Sequence, residues 1–218
     1  MQHPWTTAAS ATNAAGAPPH GVDHVVAAYG DRADEYAEVL GSMSAVHAED
    51  RALVEAWADA TPGPLLDAGC GPGHWTAHLH RRGHLVTGIE PVPRFGALAR
   101  AAAPEVDFRR GTMESIGLPD GAVGGVLSWY SLVHHEPNEV PAALAEVHRI
   151  LAPGGSLLVG FFEGPTLEPF DHAVTTAYRW PVERMVPVLQ NAGFTVDAVH
   201  RRTDLGARPH AAVVAHRS

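Results

Sequence analysis

Short apolar runs and longer amphipathic segments alternate along most of the chain. Apolar runs of this length are typical of buried strands, and apolar residues at helical spacing are typical of helices that cover a sheet. The pattern predicts strands at 65–68, 85–90, 106–109, 123–129, 156–162, 194–201 and 210–216, and helices at about 75–82, 94–103, 138–151 and 182–191. This alternation predicts an α/β fold with a doubly wound, mostly parallel sheet of seven strands.

The last two predicted strands are joined differently from the others. Only a short loop, about 201–209, separates them, and it contains no helical pattern. Because a short loop can join only antiparallel neighbours, we expect the last strand to run against the rest of the sheet.

The chain before the first strand divides into two parts. Residues 1–20 are rich in Ala, Thr, Pro and Gly, lack hydrophobic periodicity and are predicted to be disordered. Helical patterns follow over about 24–40, with a break near Gly30, and over about 45–60. We therefore expect residues 21–62 to form an N-terminal helical cap.

The most informative motif follows the first predicted strand. From Asp67 to Gly73 the chain reads Asp-Ala-Gly-Cys-Gly-Pro-Gly, with the glycines at Gly69, Gly71 and Gly73. Since glycine has no Cβ, a positive φ is cheap there and a ligand can approach the backbone closely. A strand that turns sharply into a helix in this way is typical of a nucleotide-like ligand site.

A second acidic residue ends the next predicted strand. Glu90 follows Gly69 by 21 residues, a separation that places a carboxylate where it can accept hydrogen bonds from both hydroxyls of a ribose. The loop lacks the G-x-x-G arm of dinucleotide enzymes, and the chain has no Lys to complete a phosphate-binding loop.

These motifs resemble those of the class I, Rossmann-like methyltransferases that depend on S-adenosylmethionine. The resemblance covers roughly residues 22–216 and runs in the family's order. It includes the glycine loop at 67–73, Glu90, the segment Gly111-Thr112-Met113-Glu114, the strand ending near Trp129, and Arg149-Ile150-Leu151-Ala152-Pro153-Gly154-Gly155. It implies S-adenosylmethionine as the cofactor and S-adenosylhomocysteine as its product.

The resemblance also implies which residues hold the cofactor. Asp67 would order the glycine loop or contact the amino end of the methionine moiety, and a third interpretation is a buried acid that only caps backbone N–H groups. Thr112 and Met113 would flank the adenine. The family commonly has Asp at the position of Thr112, so the adenine contact stays open, and Met113 is equally well explained as a core residue. Ser128 completes the predicted cofactor site.

Two histidines follow the fourth predicted strand, beside the position that the family gives to the sulfonium and the acceptor. An imidazole pKa near 6.5 suits a general base at neutral pH. His134 is the candidate if the Ser-Leu-x-His spacing is aligned with relatives, and His135 if the count runs back from Gly154. Both residues could instead only pack against the next helix.

A long segment, residues 163–181, interrupts the alternation of strands and helices and is predicted to form a lid over the methyl acceptor. We expect aromatic and polar side chains from this lid, from the adjoining strand ends and from the N-terminal helices to line the acceptor pocket. These are Tyr29, Tyr36, Trp129, Phe162, His172, Tyr178 and Arg179.

The composition of the chain limits the classes of partner that we expect. The 218 residues suit one domain, expected over 21–218, and a formal charge of −9 argues against a nucleic-acid partner. The 15 histidines are scattered and predict no metal site. Because Cys70 is the single cysteine, the chain cannot form an intramolecular disulfide, which suits a cytoplasmic location. The sequence contains no long apolar span, so we expect no membrane partner. A monomer and a homodimer stay open.

The sequence thus predicts an enzyme that transfers a methyl group from S-adenosylmethionine to oxygen or nitrogen of a small organic molecule. A nicotinamide-dependent reductase is the alternative enzyme, although the chain lacks the Tyr-x-x-x-Lys pair and a second domain. The other alternative is a protein that binds S-adenosylmethionine without turnover.

Overall fold

A computed structural model describes residues 22–30, 32–172, 174–204 and 206–218. The prediction for residues 1–20 lies outside these ranges. The strands are β1 (Leu65–Ala68), β2 (Val86–Glu90), β3 (Asp107–Arg110), β4 (Val123–Trp129), β5 (Leu151–Phe162), β6 (Glu168–Asp171), β7 (Thr176–Arg179), β8 (Phe194–Arg202) and β9 (His210–Arg217). The helices are α1 (Val22–Gly30), α2 (Ala33–Leu40), α3 (Ala48–Ala60), α4 (His74–Arg81), α5 (Pro93–Ala102), α6 (Val140–Ile150) and α7 (Val182–Asn191).

Seven strands form one sheet in the order β3-β2-β1-β4-β5-β9-β8. The pairs among β1 to β5 are parallel, and β9 is antiparallel to both of its neighbours, β5 and β8. The predicted doubly wound sheet with a reversed last strand is confirmed. In this topology the carboxyl ends of β1 to β5 share one edge, where an open α/β sheet binds its ligand.

The central strands are buried on both faces. All four residues of β1 are buried, and its first two residues, Leu65 and Leu66, belong to different apolar clusters. Leu66 packs with residues of α6 and α7, whereas Leu65 packs with residues of α3 and α4. Successive strand residues point to opposite faces, so a continuous apolar run is what a strand covered on both sides requires.

The N-terminal helices pack at the same edge of the sheet. Tyr29 and Ala33, from α1 and α2, are buried against Val92 and Phe95 at the start of α5. The two helices therefore cover the region that follows Glu90. None of the helices in the described ranges is long and apolar enough to cross a membrane.

Two strand assignments differ from the prediction. β5 begins at Leu151 and not at 156, because Leu151 pairs with Val123 before the register shifts through Pro153-Gly154-Gly155. The predicted lid contains a hairpin of β6 and β7, in which Glu168 pairs with Arg179. Pro169 hides this strand from sequence analysis, but a two-stranded ribbon tolerates proline because its edges leave N–H groups unpaired.

Candidate active site at the carboxyl edge of the sheet

The three loop glycines all have left-handed φ angles, of 75° at Gly69, 54° at Gly71 and 80° at Gly73. Their surroundings differ. A Cβ at Gly69 would lie 2.4 Å from Cβ of Ser131, and one at Gly73 would lie 2.8 Å from Ala99, whereas nothing lies within 4 Å at Gly71. Gly69 and Gly73 therefore permit close packing within the protein, and Gly71 leaves open space beside the backbone.

Asp67 anchors the loop from below. Its carboxylate accepts a hydrogen bond of 2.6 Å from the hydroxyl of Thr76 in α4, and its side chain is buried. Burial raises the pKa of Asp67 to about 6, and the hydrogen bonds from Thr76 oppose this rise. These contacts hold Asp67 against the helix that follows the glycine loop.

Glu90 closes the loop from the side. One carboxylate oxygen accepts from the backbone N–H of Gly71 at 2.7 Å, and the other accepts from that of Val92 at 2.8 Å. Burial raises the pKa of Glu90 to about 7. A carboxylate oxygen has more than one lone pair, so both oxygens can still accept from a ligand hydroxyl.

A cleft opens beside this loop. We call it the donor cleft. Its lining comes from the ends of successive strands and from α1: Val25, Gly69, Pro91, Gly111, Thr112, Met113, Glu114, Ser131, His134, His135 and Glu139. It therefore unites five of the predicted site residues: Gly69, Thr112, Met113, His134 and His135.

Ser128 lies behind the cleft. It is fully buried, and its hydroxyl is 2.8 Å from that of Ser131, which does line the cleft. Ser128, predicted for the cofactor site, is therefore not part of the lining. Met113 is a buried core residue and also lines the cleft.

His135 pairs with Glu114, which sequence analysis did not select. His135 Nε2 lies 2.6 Å from Glu114 Oε1, and this hydrogen bond lowers the pKa of Glu114 to about 2. The second atom of each group, His135 Nδ1 and Glu114 Oε2, is buried without a hydrogen-bond partner within the described ranges. Buried polar atoms of this kind are normally satisfied, which points to a polar ligand group beside them.

His134 makes two hydrogen bonds with defined roles. Its Nδ1 lies 2.8 Å from the carbonyl oxygen of Thr176 in β7, and its Nε2 lies 2.8 Å from the hydroxyl of Tyr29 in α1. A carbonyl can only accept, so Nδ1 carries the proton, and in the neutral ring Nε2 accepts from Tyr29. His134 thus connects α1 to the β6–β7 hairpin.

A row of ring contacts extends from this pair. Tyr36 contacts Tyr29, His134 contacts His172, and Phe162 contacts both His172 and Tyr130, with centroid distances of 4.9 to 5.7 Å. Trp129 joins through Tyr130 at 5.5 Å. Five residues predicted to line the acceptor pocket, Tyr29, Tyr36, Trp129, Phe162 and His172, therefore belong to one continuous row.

The other two predicted acceptor residues lie in the hairpin. Arg179 stacks over Phe170, 4.4 Å from the ring centroid, and forms an ion pair of 3.2 Å with Glu168. Tyr178 is half-buried, and burial raises its pKa. The structure places both residues beside the row and not in it.

A second cleft, of about 720 Å³, lies at the same edge between α3, the end of β4 and the outer strands. We call it the second cleft. Its lining is Glu49, Asp50, Leu53, Trp129, Tyr130, Val199, His200, Arg201, Arg202, His210, Ala211 and Ala212. Within it the hydroxyl of Tyr130 hydrogen-bonds Nδ1 of His210. Sequence analysis missed both residues, and the available signal was their position at the carboxyl edge.

Comparison with known proteins decides the family. The family described as methyltransferase domain matches residues 65–155. A demethylmenaquinone methyltransferase of Renibacterium salmoninarum is 30% identical over 173 residues, which cover 78% of this chain and 70% of that protein. The chain belongs to the class I S-adenosylmethionine-dependent methyltransferases.

Other relatives of this methyltransferase are longer. A malonyl-[acyl-carrier protein] O-methyltransferase of Serratia marcescens is 32% identical over 145 residues, which cover 65% of this chain and 56% of that protein. An uncharacterized Mycobacterium tuberculosis methyltransferase is 36% identical over 96 residues, 37% of its length. The chain thus spans about half or less of these two relatives.

Solved structures share the fold. The Burkholderia thailandensis 1,6-didemethyltoxoflavin-N1-methyltransferase, with bound 1,6-didemethyltoxoflavin and S-adenosylhomocysteine, has a TM-score of 0.73 at 21% identity, covering 94% of this chain and 93% of that one. The [4+2]-cyclase SpnF has a TM-score of 0.75 at 22% identity, covering 93% and 99%. The cofactor of the family is S-adenosylmethionine, as predicted.

The donor cleft fits that cofactor. Its lining does not include the predicted residues Asp67, Gly71, Gly73 and Glu90, although Gly71 has open space beside it and the Glu90 carboxylate bonds the backbone of Gly71. The unpartnered Oε2 of Glu114 offers an acceptor. The amino group of adenine is a complementary donor.

Proposed function

We propose that the protein transfers a methyl group from S-adenosylmethionine to oxygen or nitrogen of a small organic molecule. The observation that carries the proposal is the donor cleft, in which the segments after β1, β2, β3 and β4 meet beside Gly69 of the glycine loop. S-adenosylmethionine supplies, when bound, an electrophilic methyl group on a positively charged sulfur.

The chain's own residues would hold the donor as follows. The loop at Gly69 and Gly71 receives it, Glu90 accepts from its ribose hydroxyls, and Thr112 and Met113 lie against its adenine. The Glu114–His135 pair takes over the polar contact that an Asp at position 112 makes in relatives. These assignments agree with the burial and hydrogen bonds of the cleft.

His134 is the proposed general base. Its Nε2 carries a lone pair, because Nδ1 donates its proton to the carbonyl of Thr176. An acceptor group that replaces the phenol of Tyr29 at Nε2 can release its proton there, and the Thr176 carbonyl then stabilises the charged imidazole. A positioned base of this kind contributes about 10²–10⁴ in rate.

The covering elements are proposed to exclude water and align the acceptor. α1 and the β6–β7 hairpin meet at His134, and the aromatic row lies beneath them. Alignment of two reactants can supply roughly 7–11 kcal/mol of the barrier in favourable cases. The residues of 163–181 act in this proposal as a lid.

A small acceptor agrees with the charge of the chain. The formal charge of −9 opposes binding of nucleic acid. Two relatives are named for malonyl-[acyl-carrier protein] and demethylmenaquinone, so their acceptors differ chemically from each other. The relatives therefore do not choose the acceptor of this protein.

Calorimetry and product detection test the proposal. We expect S-adenosylmethionine and S-adenosylhomocysteine to bind and nicotinamide cofactors not to bind. Mass spectrometry should then detect products heavier by one methyl group in a panel of phenols, alcohols, amines and carboxylates. Binding of a nicotinamide cofactor alone would favour a reductase, and donor binding without any product across the panel would favour a non-catalytic binding protein.

A further inference from the structure

We infer that the second cleft binds the body of the methyl acceptor and that it selects amines and alcohols over carboxylates. The inference rests on the proposed function, which it deepens by naming the acceptor class. It depends on four observations: the position of the cleft, the backbone at Tyr130, the hydrogen bond to His210, and the pairing of the arginines.

The second cleft borders the donor cleft at the end of β4. Trp129 and Tyr130 line the second cleft, and the next residue, Ser131, lines the donor cleft. On the other side, Trp75 of α4 contacts Trp129 with a centroid distance of 6.1 Å, and α4 begins directly after the glycine loop. A molecule in the second cleft therefore lies next to the donor cleft, at the end of β4.

Tyr130 has a backbone that its side chain disfavours. Its φ is 58°, and it is the only non-glycine residue of the described ranges with a positive φ. Glycine would adopt this conformation without strain, so a tyrosine here indicates a role for its side chain. The phenol bonds His210, and the ring packs on Phe162 at 4.9 Å.

The Tyr130–His210 pair forms a neutral hydrogen-bonding surface in the cleft. Burial holds the pKa of His210 at about 4, so the ring is uncharged at neutral pH. Its Nδ1 accepts from Tyr130, which leaves the phenol oxygen to accept and Nε2–H to donate. Amines and alcohols offer the N–H or O–H that the phenol oxygen requires.

The arginines of the cleft are each paired with two carboxylates. Arg201 contacts Glu163 at 2.6 Å and Glu183 at 2.5 Å. Arg202 contacts Asp50 at 2.8 Å and also contacts Asp204. A ligand carboxylate would have to displace these partners.

The rim of the second cleft carries two carboxylates, Glu49 and Asp50, beside the two arginines. Glu49 adds a further acidic side chain to the lining, and His200 and His210 are the cleft's histidines. A ligand amine would meet Glu49 together with the faces of Trp129 and Tyr130, which attract cations. These groups and the phenol oxygen favour an amine, and the phenol oxygen also accepts from an alcohol.

The test uses protein loaded with S-adenosylhomocysteine and three probes that share one phenyl group: phenethylamine, phenethyl alcohol and 3-phenylpropanoate. Calorimetry should show that the amine and the alcohol bind at least about tenfold more tightly than the acid. Equal or tighter binding of the acid, or no binding of the amine and the alcohol, would overturn the inference and leave the proposed function in place.

Two matched pairs of variants locate the binding. Val199→Trp fills the cleft and should abolish probe binding, whereas Leu85→Trp, at the other exposed large apolar residue, should not. Asp204→Asn releases a partner of Arg202 and should strengthen binding of the acid, whereas Glu105→Gln makes the same charge change at an exposed turn and should not. If the probes bind Val199→Trp as tightly as they bind the natural protein, they do not bind in the second cleft.

The two proposals fail in different ways. If S-adenosylhomocysteine itself does not bind, the proposed function fails and the inference fails with it. If S-adenosylhomocysteine binds equally to the natural protein and to Val199→Trp, the donor cleft is intact. The probe results then test only the inference about the second cleft.

Discussion

The hydroxyl of Tyr29 lies 2.8 Å from Nε2 of His134, although 105 residues separate them in the chain. The bond connects the first helix of the described ranges to the segment after β4. It occupies Nε2 of His134, the atom that acts as the base in our proposal, so the proposed acceptor and Tyr29 would compete for one position. The proposal therefore links closure of the cap and catalysis through one side chain.

Tyr29→Phe should loosen the cap. The variant removes the donor and leaves Nε2 of His134 without Tyr29, so we expect a loss of about 1 kcal/mol in the free energy of unfolding. Urea denaturation measures it. Tyr36→Phe is the matched control, because Tyr36 contacts Tyr29 and Phe95 by its ring only among the contacts described here. Equal losses in both variants would show that the bond to His134 contributes nothing specific.

His134→Ala should lower turnover by about 10²–10⁴ if the acceptor must lose a proton. Single-turnover methyl transfer across a range of pH measures this, with calorimetry for donor affinity. We expect donor affinity to change little, because the predicted donor contacts lie on other residues. Full rate with an unchanged pH profile would remove His134 as a base.

His135→Ala should behave differently from His134→Ala. The variant deprives Glu114 of its partner at 2.6 Å, so the carboxylate at the donor cleft loses its fixed position. We expect weaker binding of S-adenosylhomocysteine and a much smaller effect on the rate of bound substrates. A large fall in turnover at saturating donor would contradict this division between the two histidines.

Glu90 should make donor binding depend on pH. Burial raises its pKa from 4.5 to about 7, with a further contribution from the charge of Asp67. The ionised carboxylate binds ribose hydroxyls best, so donor affinity should rise by up to about tenfold per pH unit below pH 7 and level off above it. Calorimetry from pH 5.5 to 8.5 measures the slope.

The same raised pKa of Glu90 has the opposite effect on the stability of the fold. Between pH 4.5 and 7 the folded state holds the proton of Glu90 and the unfolded chain releases it, so this group's contribution to stability falls as pH rises. Glu90→Gln should remove the pH dependence of donor affinity and reduce that of stability, to which Asp67 with its raised pKa also contributes, and Glu105→Gln, at an exposed position, should keep both. A donor affinity that stays flat in the natural protein would refute the role of Glu90.

Gly71→Val should abolish donor binding while the protein stays folded. The side chain would occupy the open space beside the loop, at a φ of 54° that a β-branched residue resists. Gly117→Val is the matched control, because Gly117 has a φ of 73° and open space but is exposed and lies outside the glycine loop. Thermal unfolding should show similar losses for both variants, and calorimetry should separate them. Unchanged donor affinity in Gly71→Val would contradict the proposal that the glycine loop binds the donor.

Local sequence determined the sheet and the loop. An apolar run such as Leu65-Leu66 suits only a strand covered on both faces, and glycines at alternate positions after Asp67 suit only a sharp turn with positive φ. These signals lie within a few residues of the structure that they specify. Glu90 was predictable for the same reason, because the end of one parallel strand lies beside the end of the next.

Only the tertiary structure decided which side chains meet. The spacing of residues left His134 and His135 one position apart as alternatives, whereas the short helix Leu132–His134 directs them to different partners, Tyr29 and Glu114. Tyr130 and His210 could be placed at the carboxyl edge from their positions beside strand ends. Side chains brought together from distant elements leave no local periodicity, so the sequence indicates neither the bond between these two residues nor the second cleft. The strands specify the edge of the sheet, and the packing of distant segments against it determines the site.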